Sequence, residues 1–233
     1  MNQQFSSSDQ SSPLRLAVFD CDGTLVDSVH SIISCMQSAC AVHGFAKPAP
    51  DDVRAMVGLP LEDIIARLFP NMVADKVLAV REGYRETFSG LRDKGQVHEP
   101  LYQGALDALS VLENAGWLLG VATGKAMRGL LATLDTHSIQ DRFVTLQTAD
   151  LSYGKPNPDM LYKAMAETGA EARATVMIGD TTFDMEMARN AGTLAIGVAW
   201  GYHEIEELIA AGAHQVVDTY DKLPAVLEGL IGP

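Results

Sequence analysis

Long apolar runs are missing from this chain. None approaches the ~20 residues needed to cross a bilayer, although apolar residues make up 47% of the sequence. A spanning helix is excluded, and the apolar content of 233 residues can instead build a sizeable core, in one domain with an insertion or in two small ones. Basic charge is also scarce: 17 Lys and Arg stand against 30 Asp and Glu, a net charge of −13, with no basic cluster to offset it. Such a surface repels nucleic acid and anionic membranes, so neither is expected as a partner. Cysteine is limited to Cys21, Cys35 and Cys40, odd in number and without CxxC spacing. That argues against a disulfide framework or a zinc site and fits reduced thiols. The six histidines are scattered, with no pair at i, i+4. Residues 1–13, MNQQFSSSDQSSP, lack the basic start and apolar stretch of a signal peptide, and the first arginine is Arg15. They read as a disordered tail, and the expected location is the cytoplasm.

What the chain does have is a rhythm of short apolar runs: LRLAVF (14–19), WLLGVA (117–122), FVTLQ (143–147), ATVMI (174–178), TLAIGV (193–198) and HQVV (214–217). Helical patterns such as 104–116, 158–169 and 182–192 lie between most of them, the last two ending in Gly as helix C-termini often do. Continuous apolar strands alternating with helices predict an α/β fold, a Rossmann-like parallel sheet with helices on both faces. One connection breaks the rhythm. Between Val26 and about Gly116 there is no strand pattern, only helical ones at 31–44, 61–69 and 73–90. Residues 29–97 are therefore expected to be an inserted all-helical cap subdomain, with the α/β core in 14–28 and 98–233 and a return linker at 97–104.

Ligands of such sheets sit at the carboxyl ends of the strands. The first strand ends in FDCDGTLVDS (19–28), which puts Asp20 and Asp22 at that edge; the fourth ends in IGDTTFDME (178–186), which adds Asp180 and Asp184. If both ends share one cluster, as many as four carboxylates occupy a small volume. Their repulsion raises pKa values or breaks the fold unless a divalent cation lies between them. An all-oxygen donor set favours magnesium over zinc or copper. VATGK (121–125) offers the Thr123 hydroxyl and the Gly124 N–H to an anion, and GKPNPDM (154–160) brings Lys155, able to neutralise a phosphate and part of the aspartate charge. Each piece has an ordinary reading as well: a turn at Asp20–Gly23, a helix cap at Thr123, an acidic first helical turn at Asp184, a solvated lysine. Their occurrence at successive strand ends strains that reading. An EF-hand loop fails because Gly23 is fourth rather than sixth, and a P-loop fails because Ala126 follows Lys125.

The order DxDGTL, Thr strand end, Lys, GDxxxD resembles the haloacid dehalogenase superfamily of phosphatases, from about Leu14 to the end of the chain. The insertion after the first motif resembles the helical cap of the phosphoglycolate phosphatase-like branch. VAWGYHEIEELIAAGAHQVVD (198–218) is similar to that branch too, and MVGLPLEDI (56–64) resembles its substrate-specificity loop. The resemblance implies a Mg2+-dependent phosphatase acting on a small phosphorylated metabolite as a monomer or homodimer. In it Asp20 is the nucleophile that becomes an aspartyl-phosphate, and Asp22 is the general acid and then base. Asp20, Asp180, Asp184 and the main-chain carbonyl of Asp22 would hold the metal, with Asp184 direct or one shell removed. Thr123, Gly124 and Lys155 would hold the phosphoryl oxygens. Asp22 speaks against the dehalogenase and phosphonate-cleaving members, where that position is replaced, while a phosphosugar mutase of the beta-phosphoglucomutase type remains an alternative. Receiver domains place their acidic pair before the phosphorylated aspartate and have no cap. A catalytically silent regulatory protein would be expected to lose one of these residues, and none is missing. For an anionic substrate tail, Arg54 and Arg67 are the candidates, although surface solvation is the more ordinary fate of each.

Overall fold

All six apolar runs form parallel strands in the computed structural model, which describes residues 13–232: β1 Leu16–Phe19, β2 Leu118–Thr123, β3 Thr145–Thr148, β4 Thr175–Gly179, β5 Leu194–Val198 and β6 Gln215–Val217. The order across the sheet is β3-β2-β1-β4-β5-β6. The Ser-rich segment lies outside the described residues except for Pro13. Among the described residues no helix is long and apolar enough to cross a membrane.

Strand side chains alternate between the two faces. Ala17 and Phe19 of β1 point to one core, closed by α5 (Ala105–Asn114), α6 (Met127–Thr136) and α10 (Leu223–Ile231). Leu16 and Val18 point to the other, closed by α7 (Asp159–Thr168), α8 (Thr182–Ala191) and α9 (Ile205–Ala211). Burial on both faces explains why the strands read as continuous apolar runs. Helix α6 has no counterpart in the patterns read from sequence. Gly129 and two threonines dilute its apolar stripe to Leu130 and Leu134, with Thr133 buried between them.

The segment between β1 and α5 folds as four helices and no strand: α1 Val29–Val42, α2 Pro50–Arg54, α3 Leu61–Leu68 and α4 Ala74–Asp93. They close a third apolar cluster of their own, built from Met36, Val53, Ile65 and Val80 among others, against which Phe183 and Tyr202 of the core pack. The chain leaves and re-enters the core along two paired connections. Asp27 N–H donates to the Pro100 carbonyl (2.9 Å), Tyr102 N–H donates to that of Leu25 (3.0 Å), and Val26 bridges Leu101 antiparallel.

The sheet places the chemistry. Chain order reverses between β1 and β4, which are neighbours, so their carboxyl ends open on the crevice where ligands of such sheets bind. Phe19 is level with Val121 on one side and Ile178 on the other. Asp20, Thr123 and Asp180 therefore emerge at adjacent strand ends.

Candidate active site

Asp20, Asp180 and Asp184 are fully buried, and one carboxylate oxygen from each falls within 4.8 Å of the others. Lys155 comes up between them, its Nζ 2.7 Å from Asp20 Oδ1 and 2.6 Å from Asp184 Oδ1, with both partners completely enclosed. Lys155 is the one cation these oxygens meet: Asp20 Oδ2 has no hydrogen-bond partner among the described residues, and Asp20 Oδ1 and Asp184 Oδ1 have none beyond that ammonium. Buried carboxylate oxygens without partners are costly. Three carboxylates against one ammonium leave an excess of two negative charges when all are ionised. The donors are all oxygens. Donor type, charge and unused lone pairs together fit a hard divalent cation.

Electrostatics agrees. Burial pushes Asp20 up to about 7; Lys155 pulls it down, while Asp184 and Asp22 add to the rise. Asp180 is raised well above the carboxylate range by burial and then by Asp20 and Asp184, despite hydrogen bonds from Thr24 and Tyr202. Burial acts to lower Lys155, but Asp184 and Asp20 outweigh it and keep the ammonium charged.

The surroundings hold these groups in place. Thr24 Oγ1 donates to Asp180 Oδ1 (2.8 Å), and the Tyr202 N–H donates to Asp180 Oδ2 (2.9 Å). The Thr24 carbonyl is in turn held by Trp200 Nε1 (3.1 Å) and the Tyr220 hydroxyl (2.9 Å). Asp184 Oδ2 accepts from the Thr181 N–H (3.1 Å) and hydroxyl (2.7 Å) at the start of α8. The ordinary reading of Asp184 as a first-turn acid is thus also true; one oxygen caps the helix and the other faces Lys155. Gly23 has φ +89°, and a Cβ there would lie 2.2 Å from Asp180 Oδ2, so the turn after Asp22 tolerates only glycine.

Asp22 departs from the four-carboxylate expectation. Its side chain is not in the cluster but turns to the cap side, where Lys125 Nζ meets both oxygens (2.6 and 2.8 Å) and the Ser28 hydroxyl donates to Oδ1. Among the described residues only three carboxylates gather, because the two-residue offset aims the second aspartate of the motif at Lys125. Thr123 is buried and its Oγ1 accepts from the Lys125 N–H (3.2 Å), so it does not cap α6, whose N-cap is Ala126. Ser28, Thr24 and Lys125 were all missed as participants. All three lie inside the quoted stretches FDCDGTLVDS and VATGK, which is the one signal that could have found them.

Above Asp22 lies a cleft of about 1250 Å³ between the helical segment and the core. Arg81, Arg85, Arg92 and Arg128 line it, whereas neither Arg54 nor Arg67 does. Arg54 lies 3.8 Å from Asp51, and Arg67 lies over the Phe183 ring. The loop at 55–60 is pressed onto the core. A Cβ on Gly124 would lie 2.5 Å from the Gly58 carbonyl oxygen, and one on Gly154 would lie 2.0 Å from Pro60 Cγ. His203 Nε2 is 3.2 Å from the Ala55 carbonyl.

Comparison with known proteins gives the family and the fold. The family described as haloacid dehalogenase-like hydrolase matches residues 17–198. A Dickeya dadantii protein named "Probable phosphatase IndB" is 35% identical over 93% of this chain and 94% of its own length. A phosphoglycolate phosphatase of Vibrio parahaemolyticus is 29% identical over 92% of this chain and 96% of its own. A Bacteroides fragilis structure described as a haloacid dehalogenase-like hydrolase superposes with a TM-score of 0.83 at 26% identity, covering 90% of this chain and 99% of that one.

Proposed function

Because the chain belongs to the haloacid dehalogenase-like hydrolases, we propose that it is a magnesium-dependent phosphomonoester hydrolase working through an aspartyl-phosphate on Asp20. The observation that carries this reading is the buried Asp20–Asp180–Asp184 cluster with an unpartnered Asp20 oxygen at the β1–β4 crevice. Asp20, Asp180, Asp184 and the main-chain carbonyl of Asp22 would hold the metal. When bound, it supplies the positive charge that lets an anionic carboxylate approach an anionic phosphoryl group. In the first step an Asp20 oxygen forms a bond to phosphorus and the ester P–O bond breaks. Asp22, reaching past the phosphorus, gives its proton to the departing oxygen. In the second, Asp22 takes a proton from water as that water attacks the aspartyl-phosphate, which releases phosphate and restores Asp20. Lys155, the Thr123 hydroxyl and the Gly124 N–H hold phosphoryl oxygens. The helices of 29–97 act as a cap that excludes water and selects the leaving group; that they form a unit of their own is supported by their apolar cluster.

The direct test is phosphate release from a panel of small phosphomonoesters, with and without chelator. Chelation should abolish release and magnesium should restore it; full activity in chelator would remove the metal from the reading. The same addition should raise the melting temperature, and more at pH 8 than at pH 5.5. The folded site holds an Asp20 proton up to about pH 7, and a cation must displace that proton in acid but not in base.

Cap closure has its own test. Gly154 is assigned no chemical role, yet Gly154→Ala places a methyl group against Pro60. Turnover should fall at least ~10-fold with little change in melting temperature. Unchanged turnover would show that the 55–60 loop need not seat as it does here.

A further inference from the structure

The cleft above Asp22 says something about the leaving group. It exceeds the roughly 300–1,000 Å³ of pockets that enclose a drug-sized ligand, at about 1250 Å³. All but one of its cations are already matched. Arg81 pairs with Glu82 (2.6 Å) and Glu62, Arg85 with the same Glu82 (3.2 Å), Arg92 with Glu99 (2.6 Å), and Lys125 with Asp22 (2.6 Å). Arg128 has no carboxylate partner among the described residues, but it is exposed and bonds Ser89 Oγ at 3.1 Å. A carboxylate attached next to the phosphate would meet Asp22 and neutralised guanidinium groups, and a buried anion without its own cation is unfavourable.

What the cleft offers is different. Tyr84 and Phe88 form an aromatic pair with centroids 5.8 Å apart, and Lys125 lies over the Phe88 ring. Tyr84 is among the residues that line the cleft, and its side chain carries a phenol. Burial, reinforced by Cys35, Asp22 and Glu99, keeps that phenol protonated. Paired guanidinium and carboxylate groups present donors and acceptors side by side, which suits vicinal hydroxyls, and aromatic faces suit the C–H face of a ring.

We propose that the leaving group is a neutral, polyhydroxylated ring or chain, so that the substrate is a sugar phosphate with no acid group beside the ester. This rests on the phosphatase reading and names its substrate class. The test compares kcat/KM for ribose 5-phosphate and glucose 6-phosphate with that for 2-phosphoglycolate in saturating magnesium, with p-nitrophenyl phosphate as a reporter. At least one sugar phosphate should exceed phosphoglycolate by 10-fold or more, on the order of one matched set of polar contacts. Phosphoglycolate turned over as well or better, with the reporter active, overturns the proposal alone; an inactive reporter overturns the phosphatase reading and this proposal with it. Glu82→Gln removes the charge shared by Arg81 and Arg85 at a side chain that is 51% exposed, so folding is not at stake. It should lower the sugar-to-phosphoglycolate ratio at least ~3-fold through a smaller KM for phosphoglycolate. An unchanged ratio would mean that charge matching in the cleft does not set the preference.

Discussion

Asp20→Asn should release no phosphate above background, and in chelator it should melt at a higher temperature than the parent. The activity loss follows from chemistry: a carboxamide is a poor nucleophile, so the covalent intermediate cannot form. The gain in stability follows from burial. Asp20 carries an ordinary value of 3.8 unfolded and about 7 folded. A raised carboxyl pKa means that the folded state binds the proton more tightly. Ionised Asp20 therefore costs stability that begins to be felt above the unfolded value and is fully felt above the folded one. Replacing it with a neutral group of the same shape removes that cost and leaves Lys155 paired with Asp184. The melting difference should be smaller at pH 5, where only part of the shift is felt, and grow toward pH 8, each kcal/mol of relief appearing as about 2–4 °C in a chain of this size. Magnesium should shift the variant less than the parent, because one donor is gone. Scanning calorimetry across that pH range, with and without chelator, checks both signs. A variant less stable than the parent at pH 8 in chelator would mean that the Lys155 contact outweighs the crowding of carboxylates.

Sequence and structure agree where the physical cause is local. The central strands were legible because both faces are covered, so a run such as LAVF needs no alternation to be recognised. Asp20, Asp180, Asp184 and Lys155 were legible together because three carboxylates and a lysine following successive buried strands strain the ordinary reading that each has alone. Long-range pairings were not. The partners Lys125 and Asp22 stand 103 positions apart, and nothing in TGK states which way its lysine turns. Arg81, Arg85 and Arg92 sit on a helix with a single fully buried residue, Val80. Nothing in the sequence singles them out, and the arginines it offers as candidates are Arg54 and Arg67. Only the folding of α4 over α6 turns that face into the wall of a cleft.

Asp22→Asn should separate the two halves of the reaction. The change keeps the Asp20–Asp180–Asp184 cluster, which the Asp22 side chain does not enter, and removes both proton transfers. It also strips Lys125 of its carboxylate. Breaking one side of a buried pair costs about 3–5 kcal/mol, and with the two side chains 11% and 10% exposed the loss should lie toward the lower end. Kinetics must accordingly be read well below the variant's own melting temperature. General acid–base help contributes ~10²–10⁴-fold, so turnover of an alkyl phosphate should fall by at least that range. An aryl phosphate, whose phenolate departs without a proton, should suffer much less in the first step. The second step still lacks its base, so phosphoenzyme should accumulate. Rapid quench with labelled aryl phosphate should find acid-stable label on Asp22→Asn and none on Asp20→Asn. Label persisting on the Asp20 variant would place the nucleophile elsewhere. Equal losses for alkyl and aryl leaving groups would remove Asp22 from the role of acid, leaving its bidentate contact with Lys125 as a structural pair that anchors the cap-side loop.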